Sequence, residues 1–244
     1  MKQETPRAAA RGVLLLLIQR IENTKKRYNN NIKNMQHFVI KCCIKGQGDV
    51  VMSQTKPIKN AAEMKQFKDY YLHEHPNLRN YMMIVLGLNT ALRISDLLSV
   101  RWENVWDFSK NQFRKHIDIT ESKTGKENRI ALNTSVRQAL LLYKQSITRL
   151  NPSDFLFPSP KDNSRPLSRY QAFRIVKRAA EHVGIEEVIG CHSMRKTFGY
   201  QASKQGVPPA LLMNIYNHSS YQITKRYLDI DQDDKDEAFC KVNL

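Results

Sequence analysis

His116-Ile-Asp-Ile-Thr120 alternates apolar and polar side chains, Arg129-Ile-Ala-Leu132 is a second short β-like run, and Lys123-Thr-Gly-Lys126 lies between them. Period-two alternation on either side of a Gly-containing turn predicts a β-hairpin over residues 115–132. The hairpin decides the fold class because of its setting. Every other regular signal in the chain is helical, and strands do not alternate with helices. A Rossmann-type parallel sheet is therefore disfavoured, and the expectation is a mainly α fold with a small antiparallel β-sheet (α+β).

Working outward, helical periodicity covers 61–74 and 78–91, and a short helix follows over 94–101. Beyond the hairpin, helices are predicted at 134–149, opened by Thr134, and at 168–183, opened by Ser168 and closed by Gly184. Further helices fall at 192–205, closed by Gly206, and at 208–216, where Pro208 and Pro209 suit a first turn. A last short helix is predicted over 220–228. These signals define a globular domain over 54–228.

The flanks differ in kind. Residues 1–50 carry ten Lys/Arg against three Asp/Glu. Tyr28-Asn-Asn-Asn-Ile32 and Gly46-Gln-Gly48 interrupt any pattern there, so residues 1–53 read as a basic leader with one helix near 11–27. Residues 229–244 form an acidic tail in which Asp229 to Glu237 packs six acidic residues into nine.

The chain has 244 residues, enough for a well-buried core, and its hydrophobic (41%) and charged (25%) fractions exclude wholesale disorder. The 39 Lys+Arg against 23 Asp+Glu give a formal charge of +16. An excess of that size points to a polyanionic partner, nucleic acid or a membrane face. The membrane reading is weak: the longest apolar run, Gly12 to Ile18, is too short to span a bilayer, lies between Arg11 and Arg20, and precedes no small-residue cleavage site. Cys42, Cys43, Cys191 and Cys240 show neither a CxxC nor a Cys/His ligand spacing, so a reducing cytoplasm and no structural metal are expected.

Four local features could carry chemistry. Arg93 closes an apolar helix end with Asp96 three residues on; the pair reads either as a site or as a structural ion pair. His192 and Arg195, three apart on a predicted helix, share a face and could address one anion. Lys123 and Lys126 place ammonium groups at the hairpin tip. Finally, His218 precedes Tyr227 by nine residues, with Lys225 and Arg226 just before the tyrosine. A tyrosine ionises near pH 10, so as a nucleophile it needs nearby positive charge or a base.

Taken together and in this order, Thr90-Ala-Leu-Arg-Ile-Ser-Asp-Leu-Leu98, Ser122-Lys-Thr-Gly125, His192-Ser-Met-Arg195-Lys-Thr-Phe198 and His218 through Tyr227 resemble the tyrosine recombinase (phage integrase) family. The resemblance spans about 54–228 and implies that family's catalytic-domain fold. It makes Arg93 and Arg195 the catalytic arginines and Asp96 the supporting acid. Lys123 becomes the general acid towards the leaving 5′ oxygen, with Lys126 on the same turn. His192 and His218 match the family's histidine positions, and Tyr227 matches the nucleophile. The implied activity is site-specific cleavage and rejoining of double-stranded DNA through a 3′-phosphotyrosyl link, as integrase of a mobile element, without metal or other cofactor. The implied working form is a homotetramer on paired DNA sites. A type IB topoisomerase-like enzyme and a catalytically silent DNA-binding remnant are the alternatives.

Two departures stand out. The family often has Leu-Gly before the later histidine, where this chain has Tyr216-Asn217, and Asn can take a left-handed backbone in place of Gly. The family also commonly carries an N-terminal core-binding domain, of which residues 1–53 would be only a part. Lys/Arg in 165–178 and 195–204 are candidate phosphate contacts, and Ala238, Phe239 and Val242 could pack on a neighbouring protomer.

Overall fold

The computed structural model describes residues 55–229 and 232–242; the leader, its expected helix near 11–27, and Cys42 and Cys43 lie outside them. Helix α1 (Ala61–His73) starts on Asn60, whose side chain accepts from Ala62 N and Glu63 N at 2.8 and 3.1 Å. Asn77 opens α2 (Leu78–Thr90) in the same manner, accepting from Asn80 N at 3.0 Å. These caps satisfy backbone donors that the first turn leaves without partners. Met82, Met83, Ile84, Val85 and Leu86 are all buried, so α2 is apolar around its circumference and becomes the central helix.

The single helix expected over 94–101 is two, α3 (Ile94–Ser99) and α4 (Trp102–Val105). The break has a backbone cause: Val100 O accepts from Leu156 N at 2.8 Å and Trp102 N donates to Asp154 O at 3.0 Å. A passing segment thus takes the groups a continuous helix would use. Next comes a hairpin of two-residue strands that no sequence signal marks, β1 (Trp106–Asp107) against β2 (Gln112–Phe113). Its strands are too short to show a period; Asp107 Oδ1 instead binds Ser109 N and Lys110 N, both at 3.1 Å, in an Asx turn.

The predicted hairpin is present as β3 (His116–Thr120) and β4 (Glu127–Ala131), antiparallel in register from His116↔Ala131 to Thr120↔Glu127. Its loop, 121–126, closes through Gly125 N to Glu121 O at 2.8 Å, with Gly125 left-handed at φ 66°. Helix α5 (Thr134–Gln145) is capped by Asn133 rather than Thr134, because Asn133 Oδ1 is the acceptor of Val136 N at 3.0 Å. It ends four residues early, where Ser146 N and Oγ both turn back to Tyr143 O. In α6 (Arg169–Val183), Ser168 and Gln171 form a reciprocal capping box and Gly184 ends the helix at φ 81°, as expected.

Helices α7 (Cys191–Lys204), α8 (Pro209–Ile215), α9 (Tyr221–Leu228) and α10 (Gln232–Lys241) complete the described chain. One large apolar core joins α1–α6 to the hairpins. A second, smaller cluster of Ala91, Leu212, Tyr216 and Leu228, flanked by Phe198 and Tyr227, lies beneath the end of α2, α8 and α9. It gathers the segments that carry the candidate residues.

Candidate active site

Arg93 follows Ala91, which ends α2 in a left-handed conformation at φ 55°, and it is the extended N-cap of α3. Its guanidinium meets a partner that the sequence did not suggest. Arg93 Nη1 donates to Glu121 Oε2, not to Asp96. Asp96, 1% exposed, accepts instead from Ser122 N at 3.0 Å and Ser122 Oγ at 2.7 Å. Glu121 also accepts from Thr124 Oγ1 at 3.0 Å and Asn128 Nδ2 at 3.2 Å. Lys123 is therefore bracketed by two neighbours tied to buried carboxylates, while its own side chain is exposed. Burial pushes the Glu121 carboxyl up, but the Asn217, Arg93 and Thr124 side chains facing it outweigh burial and hold it below the ordinary glutamate value. Asn217 is the loosest of these, since its buried Nδ2 meets no partner at strict hydrogen-bonding geometry.

His192 and Arg195 project from the first turns of α7, which begins at the extended Gly190. Ser193 Oγ accepts from Gly190 N at 3.1 Å and fixes the entry of the chain. Arg195 is 1% exposed. It donates from Nη1 to Ala91 O and from Nη2 to Tyr216 O at 2.9 Å, leaving Nε buried without a partner. Its guanidinium lies 4.5 Å from the centre of the Tyr216 ring and 5.7 Å from that of Tyr227. Burial, then the Arg93 charge, lowers its pKa, but an arginine stays charged. Lys196, an expected phosphate contact, is itself buried and donates to Thr55 O at 2.6 Å, so it serves the fold.

The turn after α8 corroborates the reading of Tyr216-Asn217. Asn217 is left-handed at φ 54°, and Asn217 N and His218 N return to Asn214 O and Met213 O at 2.9 and 3.1 Å. That turn delivers His218, whose Nδ1 lies 3.0 Å from the hydroxyl of buried Thr224. Tyr227, three residues on from Thr224 along α9, has its ring centroid 4.7 Å from His218, 5.0 Å from His192 and 5.0 Å from Tyr216. Just past it, Asp229 caps α9 at φ 47° and pairs with Lys56 and Lys59 at 2.9 and 3.2 Å.

Both histidines are held neutral in the free site. Desolvation, then Arg195 and Arg93, push His218 down to about 4. For His192, desolvation and the cations Arg195, Lys196, Arg93 and Lys123 also give about 4. Because His192 keeps open surface, the cations are the firmer part of that shift. They also place Lys123 within electrostatic reach of His192. Tyr216 is no rival to Tyr227: it is fully buried, its hydroxyl donates to Arg195 O at 2.7 Å, and burial drives its pKa far up.

All seven predicted residues thus come from separate segments into one region, with Arg93, Asp96 and Lys123 on the hairpin side and His192, Arg195, His218 and Tyr227 on the helical side. Glu121 and Tyr216 are the additions. Two forked cations, an ammonium, two neutral imidazoles and a phenol fit an oxyanion with a nucleophile beside it. Among the described residues, no three His, Cys, Asp or Glu side chains converge as metal ligands. No helix among them is long and apolar enough to cross a membrane.

The profile of the phage integrase family matches residues 59–234, and the chain belongs to that family. It is 37% identical over 188 residues to "Probable integrase/recombinase YoeC" of Bacillus subtilis strain 168, covering 77% of this chain and 97% of the relative. A tyrosine recombinase of Pseudothermotoga lettingae is 28% identical over 166 residues, 68% of this chain; the match spans 54% of that relative, about half its length. Among solved structures, the Tn1549 transposon integrase in complex with a circular intermediate DNA shares the fold, with TM-score 0.59, 20% identity and coverage of 85% of this chain and 75% of that one. The enzyme class is the tyrosine-type site-specific recombinase.

Proposed function

We propose that this chain cleaves and rejoins double-stranded DNA through Tyr227, as the integrase of a mobile element acting in the cytoplasm. The observation that carries the reading is the seating of Tyr227 against His192, His218 and Arg195 of its own chain. In the proposed step the Tyr227 oxygen attacks phosphorus, a P–O(Tyr) bond forms and the P–O5′ bond breaks. Arg93 and Arg195 offset the charge growing on the nonbridging oxygens. His192 and His218 donate hydrogen bonds there or accept the phenolic proton. Lys123 protonates the leaving 5′ oxygen, and Asp96 supports it through Ser122. The bond energy is kept in the phosphotyrosyl link, so a 5′ hydroxyl of a second strand can reverse the step without ATP.

The excess of +16 supplies backbone affinity that falls with salt. We place the catalytic domain at 54–228, residues 1–53 as a partial core-binding region on DNA, and the working form as a homotetramer on paired sites. The acidic tail is the wrong sign for DNA. Phe239 and Val242, 78% and 67% exposed on and just after α10, offer apolar surface for a neighbouring protomer to cover.

The test is incubation with nicked duplex DNA from the host element, resolved on a denaturing gel for wild type and Tyr227→Phe. A covalent adduct that disappears in the variant is expected. An adduct that persists in the variant moves the nucleophile elsewhere. Salt-sensitive binding of the correct site without any adduct favours a silent DNA-binding remnant. Relaxation of supercoils without pairing of sites favours the topoisomerase-like reading.

A further inference from the structure

Glu121 is a carboxylate, 1% exposed, placed where an enzyme that binds a phosphate would be expected to avoid one. Its partners tie three parts of the site together. Arg93 comes from the α2–α3 junction, Thr124 from the hairpin loop, and Asn128 from β4. Asn128 in turn reaches Ile215 O at 3.4 Å, at the start of the turn that delivers His218. With Ser122 held on Asp96 and Thr124 on Glu121, the backbone on both sides of Lys123 is fixed. Arg93 spends one N–H group on Glu121, and its side chain keeps 17% exposure, which leaves further donors of the fork for an incoming oxyanion.

Resting on the recombinase reading above, we propose that Glu121 is a positioning residue with a second role as counter-anion: it sets Arg93 and the Lys123 loop in one register, and in the free protein it neutralises the fork that a scissile phosphate must share. The two roles act in opposite directions on two observables. Removing the charge strengthens the net positive field, so a phosphate binds more tightly; removing the anchor lets Arg93 and Lys123 drift, so bond cleavage slows. A residue that merely held the fold would weaken both together.

The test compares wild type, Glu121→Gln and Glu121→Asp in the full chain. Binding of inorganic orthophosphate is read by 31P NMR, and adduct formation on nicked host-element duplex is followed in single turnover. Glu121→Gln is expected to bind orthophosphate about threefold more tightly while its adduct forms about tenfold more slowly. Glu121→Asp keeps the charge on a shorter reach, so it retains wild-type phosphate affinity and loses only rate. Unchanged values in Glu121→Gln overturn the proposal, as does a joint loss of binding, rate and melting temperature in both variants. The phosphate measurement needs no cleavage. It therefore judges the counter-anion role even where wild type forms no adduct, an outcome that counts against the recombinase reading instead.

Discussion

The two arginines of the site are chemically identical and physically opposite. Arg93 sits at a helix N-cap at the edge of the core, partly exposed, with a carboxylate on its fork. Arg195 is 1% exposed, and two backbone carbonyls and the face of Tyr216 hold it. One cation is paired directly and adjustable, and the other is desolvated and fixed, with the Glu121 charge reaching it only at a distance. A buried charge of the second kind costs folding free energy unless its hydrogen bonds are nearly complete, yet one N–H of Arg195 stays without a partner. That expense is explicable if the field of Arg195 is meant for a bound anion rather than for the protein.

Lysine substitution tests this contrast most strongly. An ammonium at 195 cannot span Ala91 O and Tyr216 O and also present a flat fork to phosphate. Arg195→Lys should therefore lower adduct formation by about 10²–10³-fold, the scale of a lost oxyanion donor. Arg93→Lys still pairs with Glu121 and should lose about tenfold, in the range of one charge-assisted contact. Single-turnover rates on the same nicked duplex compare the two; equal losses would erase the distinction.

The next effect concerns what keeps Arg195 fixed. Tyr216 stacks on His218 at 5.0 Å with an interplanar angle of 13° and lies under the Arg195 guanidinium. Its hydroxyl occupies the space over Gly199 that a Cβ would need. Gly199→Ala should overpack this contact and cost about 1–3 kcal/mol. Tyr216→Phe removes the atom in conflict, so the Gly199→Ala/Tyr216→Phe pair should destabilise by less than the two single changes summed. Denaturant unfolding of all four proteins measures that coupling, and strict additivity would mean that the Tyr216 hydroxyl is not packed against Gly199.

The difference between the arginines also marks what could be read from the chain. That Arg93, His192, Arg195, His218 and Tyr227 belong to one region was legible because each keeps a spacing within one local stretch, and the order of stretches is itself informative. Ser168, Gly184 and Asn217 were legible because caps and left-handed turns are local chemistry. The hairpin was legible because five-residue strands show their alternation, whereas β1 and β2, two residues each, show none. Glu121 was not, although it stands two residues before Lys123: its meaning depends on Arg93, 28 positions away, and exists only after folding. Tyr216 reads in the sequence as a mere substitution in the Leu-Gly pattern, because its contacts with Arg195 and His218 exist only in the fold. The split of 94–101 likewise depends on residues 154–156 passing alongside.

The smallest expected effect is electrostatic and tests whether Glu121 neutralises Arg93 as the comparison requires. Desolvation and the cations of the site push His192 and His218 down to about 4 in the folded protein, against about 6.5 for an unfolded histidine. Between those values the unfolded chain binds protons that the folded chain refuses, so stability rises with pH across the window. The contribution is complete above about 6.5 and is lost as pH falls towards about 4. Arg195 precedes Arg93 among the cations that depress each histidine. Arg195→Gln should therefore raise the pKa of His218, followed by NMR titration of its imidazole, by more than Arg93→Gln does. Arg93→Gln also leaves Glu121 without its charge partner, and that freed carboxylate should add to the rise while Arg93→Gln/Glu121→Gln brings His218 back towards its wild-type value. If Arg93→Gln alone moved His218 as far as Arg195→Gln, and the double change gave nothing back, the two arginines would be equivalent in the field of the site and Glu121 would not be the reason they differ.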